Sequence, residues 1–261
     1  MLTLVGSIVL FNNDPVILNA SLRSFLSYDG SSKLIIIDNS FTSLSDQLIA
    51  DNRIEYFHNP SNPGFGSSHN IAIKRSFDLD AKYHLILNPD IYFNKGTLEC
   101  IISFMDENLS IGHLMPKILF PDESFQYLCK RNPTFFDLFA RGFLPRTFKS
   151  IFSRKLDKYE YRDHDFSHII FDIPYLSGCF MFFRTKTLKS VGFFDENFFM
   201  YLEDADITRR VLKIAQTVYF PNAIVYHHYS GLTHKFFKYK WITIKSAFVY
   251  FNKWGWFKSL I

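Results

Sequence analysis

HLILNPD, residues His84–Asp90, is an apolar run of strand length that ends on Asn88, Pro89 and a carboxylate. A short continuous apolar run suits a strand buried on both faces of a sheet, and Asn-Pro turns the chain directly after it. Two similar runs lie upstream, Leu4–Phe11 and Lys33–Asp38, the second also closing on a carboxylate. Pro15 opens a helix to about Tyr28, Ser43–Ala50 predicts a short helix, and Ile54–Phe57 a third strand. Helices over Ser67–Phe77 and Thr97–Asn108 flank the opening run. Strands alternating with helices form βαβ units, so the pattern predicts an α/β protein with a mostly parallel sheet and helices on both faces. In such sheets ligands sit beyond the carboxyl ends of the strands, where Asp38 and Asp90 both fall.

After Leu114 the pattern turns irregular. Strand character returns at Ile169–Tyr175 and Leu176–Arg184, followed by helices at Thr185–Val191 and Asp204–Ala215 and strands at Thr217–Phe220 and Ala223–His227. The tail after His234 has helical character. With no repeat and no low-complexity linker, the expected organisation is one domain over residues 1–233 and a tail over 234–261. Within that domain the strand–helix alternation divides residues 1–114 from residues 115–233, the second part with a basic aromatic insertion at 130–158.

The 261 residues are 48% hydrophobic and 21% charged, which excludes disordered and fibrous classes. A net charge of +4 hides an uneven distribution. Residues 207–261 hold nine Lys or Arg and no acid, residues 130–158 hold eight against two acids, and the remainder is acidic. Both basic blocks share in an aromatic content of 18%. Cys100, Cys129 and Cys179 are widely spaced, so neither a disulfide framework nor a zinc knuckle is indicated and a reducing compartment is expected. No stretch reaches the roughly 18 apolar residues of a spanning helix.

Four clusters carry chemistry. Asp38-Asn39 closes a strand, where a carboxylate can accept from ribose hydroxyls or a base N–H; an Asp capping the next turn fits equally well. Asp90 on a rigid strand end suits Mg²⁺ or Mn²⁺, although turn chemistry alone also explains Asn88-Pro89-Asp90. The loop Asn62–Asn70 (NPGFGSSHN) brings Gly64 and Gly66 to a helix start, where N–H groups can face a phosphate or simply be capped. It is neither a dinucleotide fingerprint nor a P-loop. Glu203, Asp204 and Asp206 form the densest cluster, behind an aromatic run and ahead of Arg209-Arg210. Such crowding is ordinarily solvated, but partial burial would raise the carboxylate pKa values and furnish a general base, with an arginine neutralising the cluster or clamping a diphosphate. His227 ends a strand and can ligate a metal, although a lone histidine is more often structural and His228 stands beside it.

VGSIVLFNN, IIIDNS, NPGFGSSHN, LILNPDI, SGCFMFFR, VGFFDENFFMYLEDADITRR and FPNAIVYHH, in this order and spacing, resemble the inverting glycosyltransferases of family 2. The likeness is to the bacterial rhamnosyltransferase group that extends lipid-linked sugar chains in O-antigen and cell-wall synthesis, and it spans nearly the whole chain. It implies the GT-A fold, with a Rossmann-like sheet, here carrying a C-terminal helical appendage. By the same resemblance Asp38 contacts the nucleotide and Asp90, the surviving acid of the Asp-x-Asp element, binds Mg²⁺ or Mn²⁺. His227, six residues after Pro221, is the further metal ligand. Asp204 is the catalytic base with Glu203 the second choice, and Arg210 is the arginine that follows this motif. Asn39, Gly64, Gly66, Asn70, Asn88 and Asp195 fall among the substrate-binding positions. Asn88 replaces the first acid of Asp-x-Asp, so the metal rests on fewer charges.

The implied reaction moves L-rhamnose from dTDP-L-rhamnose, with inversion, onto a polyprenyl-diphosphate-linked saccharide. The alternative is another donor, such as UDP-galactofuranose or a UDP- or GDP-hexose. A non-catalytic nucleotide-sugar-binding module would have lost the Glu203-Asp204 acids, and a sugar-1-phosphate nucleotidyltransferase would carry a glycine-rich loop with Arg and Lys after the first strand. The acidic centre argues against nucleic acid as partner. The segments Phe135–Phe152 and Phe236–Leu260, with Trp241, Trp254 and Trp256, predict peripheral contact with an anionic membrane, on the cytoplasmic face of a bacterial plasma membrane.

Overall fold

The computed structural model describes residues 2–143, 152–229 and 237–256. Numbered in chain order, the strands of its central sheet are β1 (Leu4–Leu10), β2 (Ser32–Asp38), β3 (Ile54–His58), β4 (Tyr83–Leu87), β5 (Ile91–Tyr92), β6 (Ile111–Leu119), β8 (Ile170–Phe171), β10 (Phe180–Arg184) and β11 (Gln216–His227). They run in the order β3-β2-β1-β4-β10-β6-β11-β5, with β8 also paired to β11. A separate ribbon joins β7 (Cys129–Lys130) to β9 (Tyr175–Leu176). The helices are α1 (Pro15–Leu26), α2 (Phe65–Asp78), α3 (Thr97–Glu107), α4 (Phe135–Phe143), α5 (Ser153–Tyr159), α6 (Thr185–Val191), α7 (Glu203–Val211) and α8 (Phe237–Trp254).

Alternation along the strands divides the core. Leu34 and Ile36 of β2 join Leu4 and Ile8 of β1 against Leu18 and Leu22 of α1 and Ile101 and Met105 of α3. Ile35 and Ile37, pointing the other way, pack with Val5 and Ala72 of α2. Farther along, Ile86, Met181 and Phe183 cover α6 and α7 on that second face. Burial on both faces explains why these strands are apolar at every position rather than at every other one.

The pairings of β1 with β2 and β4, of β2 with β3 and of β6 with β11 are parallel. The inserted β10 is antiparallel to both β4 and β6, so the sheet is mixed. β6 is a full strand where the sequence pattern looked irregular. Its Pro116 lies opposite Phe220, where β11 shifts register, and such an irregularity tolerates a missing N–H. The same shift, around Pro221, makes the two strands expected at 217–220 and 223–227 into one. The helix expected at Ser43–Ala50 reduces to a 3₁₀ turn at Ser45–Gln47. Here Asp38 and Ser43 side chains accept from the N–H groups of Leu44 and Ser45 and compete with helix formation.

α8 is tied to α7 and the loop before it. Tyr250 and Phe251 share a cluster with Phe198, Leu202 and Ala205. Trp254 Nε1 donates to Asp206 at 2.9 Å, and Ser246 donates to the carbonyl of Met200 at 2.7 Å. Of the segments expected at a membrane, residues 144–151, 234–236 and 257–261 lie outside the described residues. Among the described residues no helix is long and apolar enough to cross a membrane.

Candidate active site

The Asn88-Pro89-Asp90 turn leaves β4 and enters β5 at once, with Ile91 N–H donating to the Asn88 carbonyl at 3.2 Å. Asn88 is held through its own N–H, which donates to the Cys179 carbonyl at 2.9 Å. β5 pairs with β11 so that Ile91 lies opposite His227. His227 Nε2 comes 3.4 Å from Asp90 Oδ1. The contact lacks hydrogen-bond geometry, and Asp90 Oδ1 is buried without a hydrogen-bond partner. His228, by contrast, is exposed and lies against the Tyr92 ring. An imidazole nitrogen and a carboxylate oxygen facing each other without a hydrogen bond fit a divalent cation. Two neighbouring ligands of one octahedral ion lie about 3 Å apart. Among the described residues no third His, Cys, Asp or Glu joins them. Such an ion would complete its shell from substrate phosphate and water.

The acidic pair lies across the turn Ser177-Gly178-Cys179. Gly178 N–H donates to Asp204 Oδ2 at 2.9 Å, and the Ala205 N–H donates to Oδ1 at 2.9 Å. A Cβ on Gly178 would lie 3.2 Å from that of Asp204, so the turn can press against the carboxylate only as glycine without displacement. Tyr201 and Leu202, with φ of 73° and 68°, bring the chain into α7 through two left-handed residues, a strained entry. Glu203 and Asp204 are both buried. Burial, then the charge of Asp204, pushes Glu203 well above the usual carboxylate range. Burial also raises Asp204, opposed by the charge of Lys130 and by hydrogen bonds from Gly178, Ala205 and Tyr175. Glu203 therefore holds a proton more readily, and Asp204 is the better-supported carboxylate. Cys179 feels both sides of the site. Burial first, then the charges of Asp90 and Asp204, push its thiol up to about 12 against the Ser177 hydrogen bond and the Lys130 charge.

Other residues singled out in the sequence are engaged by the protein itself. Asp38 accepts from Ser40 N–H at 2.9 Å, Leu44 N–H at 2.8 Å and Tyr56 hydroxyl at 2.5 Å. Burial would raise its pKa, but these donors outweigh it and hold the carboxylate low. Asn39 donates to Ser68 Oγ at 2.7 Å and has a buried Oδ1 without a partner. Gly64 and Gly66 pack closely against the chain itself. A Cβ on Gly64, at φ 106°, would lie 2.3 Å from the Phe199 carbonyl, and one on Gly66 would lie 2.8 Å from Phe194 Cβ. Asn70 donates to the Phe194 carbonyl and Glu196, each at 3.0 Å, and accepts from Phe194 N–H at 2.9 Å. The glycine loop thus anchors the 194–199 loop that precedes the acidic pair.

Arg210 is likewise engaged within the chain. Its guanidinium donates to Asp206 at 2.9 Å and to the Val191 and Phe193 carbonyls at 2.7 and 2.9 Å. The four-residue spacing of Asp206 and Arg210 on a helix already signals this pair. Asp195 accepts from Asn197 and pairs with Lys253 at 2.7 Å, and Lys253 also reaches Asp206 at 2.9 Å. Lys253, Trp254, Gly178 and Gln126 were not among the residues expected at the site.

A central sheet that brings an acid–histidine pair and a buried acidic pair to one turn at its strand ends defines a glycosyltransferase of GT-A architecture. Residues 8–192 match the family model described as Glycosyl transferase family 2, and the chain belongs to that family. It is similar to Rhamnosyltransferase WbbL of Escherichia coli K12, 26% identical over 239 residues that cover 88% of this chain and 85% of that one. It is also similar to the N-acetylglucosaminyl-diphospho-decaprenol L-rhamnosyltransferase of Mycobacterium tuberculosis, 25% identical over 206 residues. That match takes in 75% of this chain and 66% of the relative, just under two thirds of its length. The crystal structure of Staphylococcus aureus TarS shares the fold, with a TM-score of 0.58 and 18% identity over 96% of this chain and 40% of that one.

Proposed function

We propose that this enzyme transfers L-rhamnose from dTDP-L-rhamnose, with inversion, to a hydroxyl of a polyprenyl-diphosphate-linked saccharide in bacterial surface polysaccharide synthesis. The observation that carries the reading is the buried Glu203-Asp204 pair, gripped by Gly178 one residue from the Cys179 carbonyl that holds the Asn88-Pro89-Asp90 turn. The names of the mycobacterial and E. coli relatives support rhamnose and a lipid-linked acceptor.

Asp204 acts as general base, taking the acceptor hydroxyl's proton as its oxygen attacks the anomeric carbon from the face opposite the leaving diphosphate. Glu203, carrying its proton, leaves Asp204 as the single negative charge of the pair. Asp90 and His227 would hold Mg²⁺ or Mn²⁺, which would supply positive charge to offset that of the departing nucleoside diphosphate. Asp38 and Asn39 shape the nucleotide side of the cleft. Exposed Phe135, Phe152, Trp241 and Phe248, in segments that also carry lysines and arginines, support peripheral contact with the anionic inner face of the plasma membrane.

The test is a donor panel of dTDP-L-rhamnose, UDP-galactofuranose and UDP- and GDP-hexoses, offered with decaprenyl-diphosphate N-acetylglucosamine and Mn²⁺. Transfer from dTDP-L-rhamnose alone is the expected result. Preferred transfer from another donor would replace rhamnose in the reading, and sedimentation without anionic vesicles at physiological salt would remove the membrane contact.

A further inference from the structure

Gln126 lies 101 residues from His227 in sequence, in the segment between β6 and β7, and is buried beside it. Its backbone N–H donates to the Ile118 carbonyl at 3.0 Å, which fixes the main chain. Its side-chain Nε2 donates to the Leu119 carbonyl at 3.3 Å and to the His227 carbonyl at 3.0 Å. Both amide protons therefore have carbonyl acceptors. The amide flipped by half a turn would set its oxygen against those two carbonyl oxygens, so the orientation is dictated by the network. The remaining atom, Oε1, lies 3.0 Å from His227 Nδ1. An amide oxygen only accepts, so Nδ1 must carry the ring proton. In the neutral ring His227 Nε2 is then a bare lone pair, 3.4 Å from the unpartnered Asp90 Oδ1.

We propose that Gln126 is a positioning residue for the metal site: it selects the Nδ1–H tautomer of His227 and fixes the ring so that Nε2 faces the cation. This rests on the reading of Asp90 and His227 as metal ligands. Outer hydrogen bonds of this kind orient ligating histidines, and their loss weakens metal binding by ~10–100-fold.

The tautomer is read directly in metal-free, ¹⁵N-labelled protein from long-range imidazole correlations, with His227→Ala supplying the assignment. Mn²⁺ binding is read separately by the EPR signal of the free ion, with dTDP or UDP present. The wild-type protein is expected to show His227 protonated at Nδ1. Gln126→Leu should mix the tautomers and weaken Mn²⁺ by ~10–100-fold while melting cooperatively. An Nε2–H tautomer in the wild-type protein overturns the proposal whatever the variants do. So does unchanged Mn²⁺ affinity in Gln126→Leu when His227→Ala has lost it. If His227→Ala and wild type bind Mn²⁺ alike, the metal reading fails instead, while the tautomer measurement still decides what Gln126 does to the ring.

Discussion

Asp90 and His227 meet because two strands, β5 and β11, pair in register, and Gln126 holds the imidazole from behind. Glu203 and Asp204 sit instead on the first turn of one helix, entered through two left-handed residues and fastened on its far side to α8. Strand pairing places the first pair with a single orphaned oxygen. The second pair is buried against the preference of both carboxylates, so the surrounding contacts must hold it there. Neutralising the base on the helix side should therefore remove activity at little cost in stability. Cutting the ties behind the helix should do the reverse damage, to the fold first.

The largest expected effect is that of Asp204→Asn, which removes the base and should lower transfer by ~10²–10⁴. Its melting temperature should fall only modestly, because removing a buried charge offsets the backbone N–H, of Gly178 or Ala205, that the new amide nitrogen cannot accept; differential scanning fluorimetry beside the transfer assay checks both. Next comes Arg210→Met, which strips a partner from the fully buried Asp206. Removing one member of a buried ion pair costs about 3–5 kcal/mol, and the lower end is expected because Lys253 and Trp254 remain. Urea titration reads this, and a change within error would mean that α8 alone secures the helix. A smaller effect of opposite sign is expected for Glu203→Gln. A carboxylate whose pKa is raised on folding loses stability as pH rises above about 4.5, its ordinary value, so at neutral pH the amide should stabilise by about 0.5–2 kcal/mol.

The smallest effect concerns neither pair but the sheet that carries both. His69, His84 and His113 are fully buried, and burial holds all three rings neutral, with His84 and His113 pulled down to about 3. Unfolding lets each bind a proton near pH ~6.5, so stability is lost as pH falls below that value, by up to about 1.4 kcal/mol per pH unit for each histidine. His113, whose ring nitrogens have no partner, is the cleanest probe. His113→Leu should flatten the fall in melting temperature between pH 7 and pH 5, and an unchanged slope would place the acid sensitivity elsewhere.

The strand–helix alternation of the first half was legible because doubly buried strands such as KLIIID are apolar throughout and end on polar turns. The direction of β10 was not, since FMFFR would be equally apolar in a parallel or an antiparallel strand. β6 was hidden by Pro116, whose missing N–H is accommodated only where β11 shifts register. In the site, residue types at strand and helix ends pointed to Asp90, His227, Glu203 and Asp204, and the structure brings each pair together. Partners were invisible. Asn70, Asp195 and Arg210 have ligand-binding chemistry, yet their donors and acceptors are taken by the loop from Val191 to Asn197 and by α8. Gln126 carries no signal of its own, because its importance comes entirely from a histidine on another strand.

The most direct test of single displacement with Asp204 as base is the NMR anomeric configuration of the first product formed by the wild-type enzyme from dTDP-L-rhamnose, with folded Asp204→Asn run in parallel. The expected result is a product of opposite configuration to the donor sugar, formed by the variant at least ~100-fold more slowly. A product of retained configuration, or transfer by the folded variant at the wild-type rate, would contradict the account.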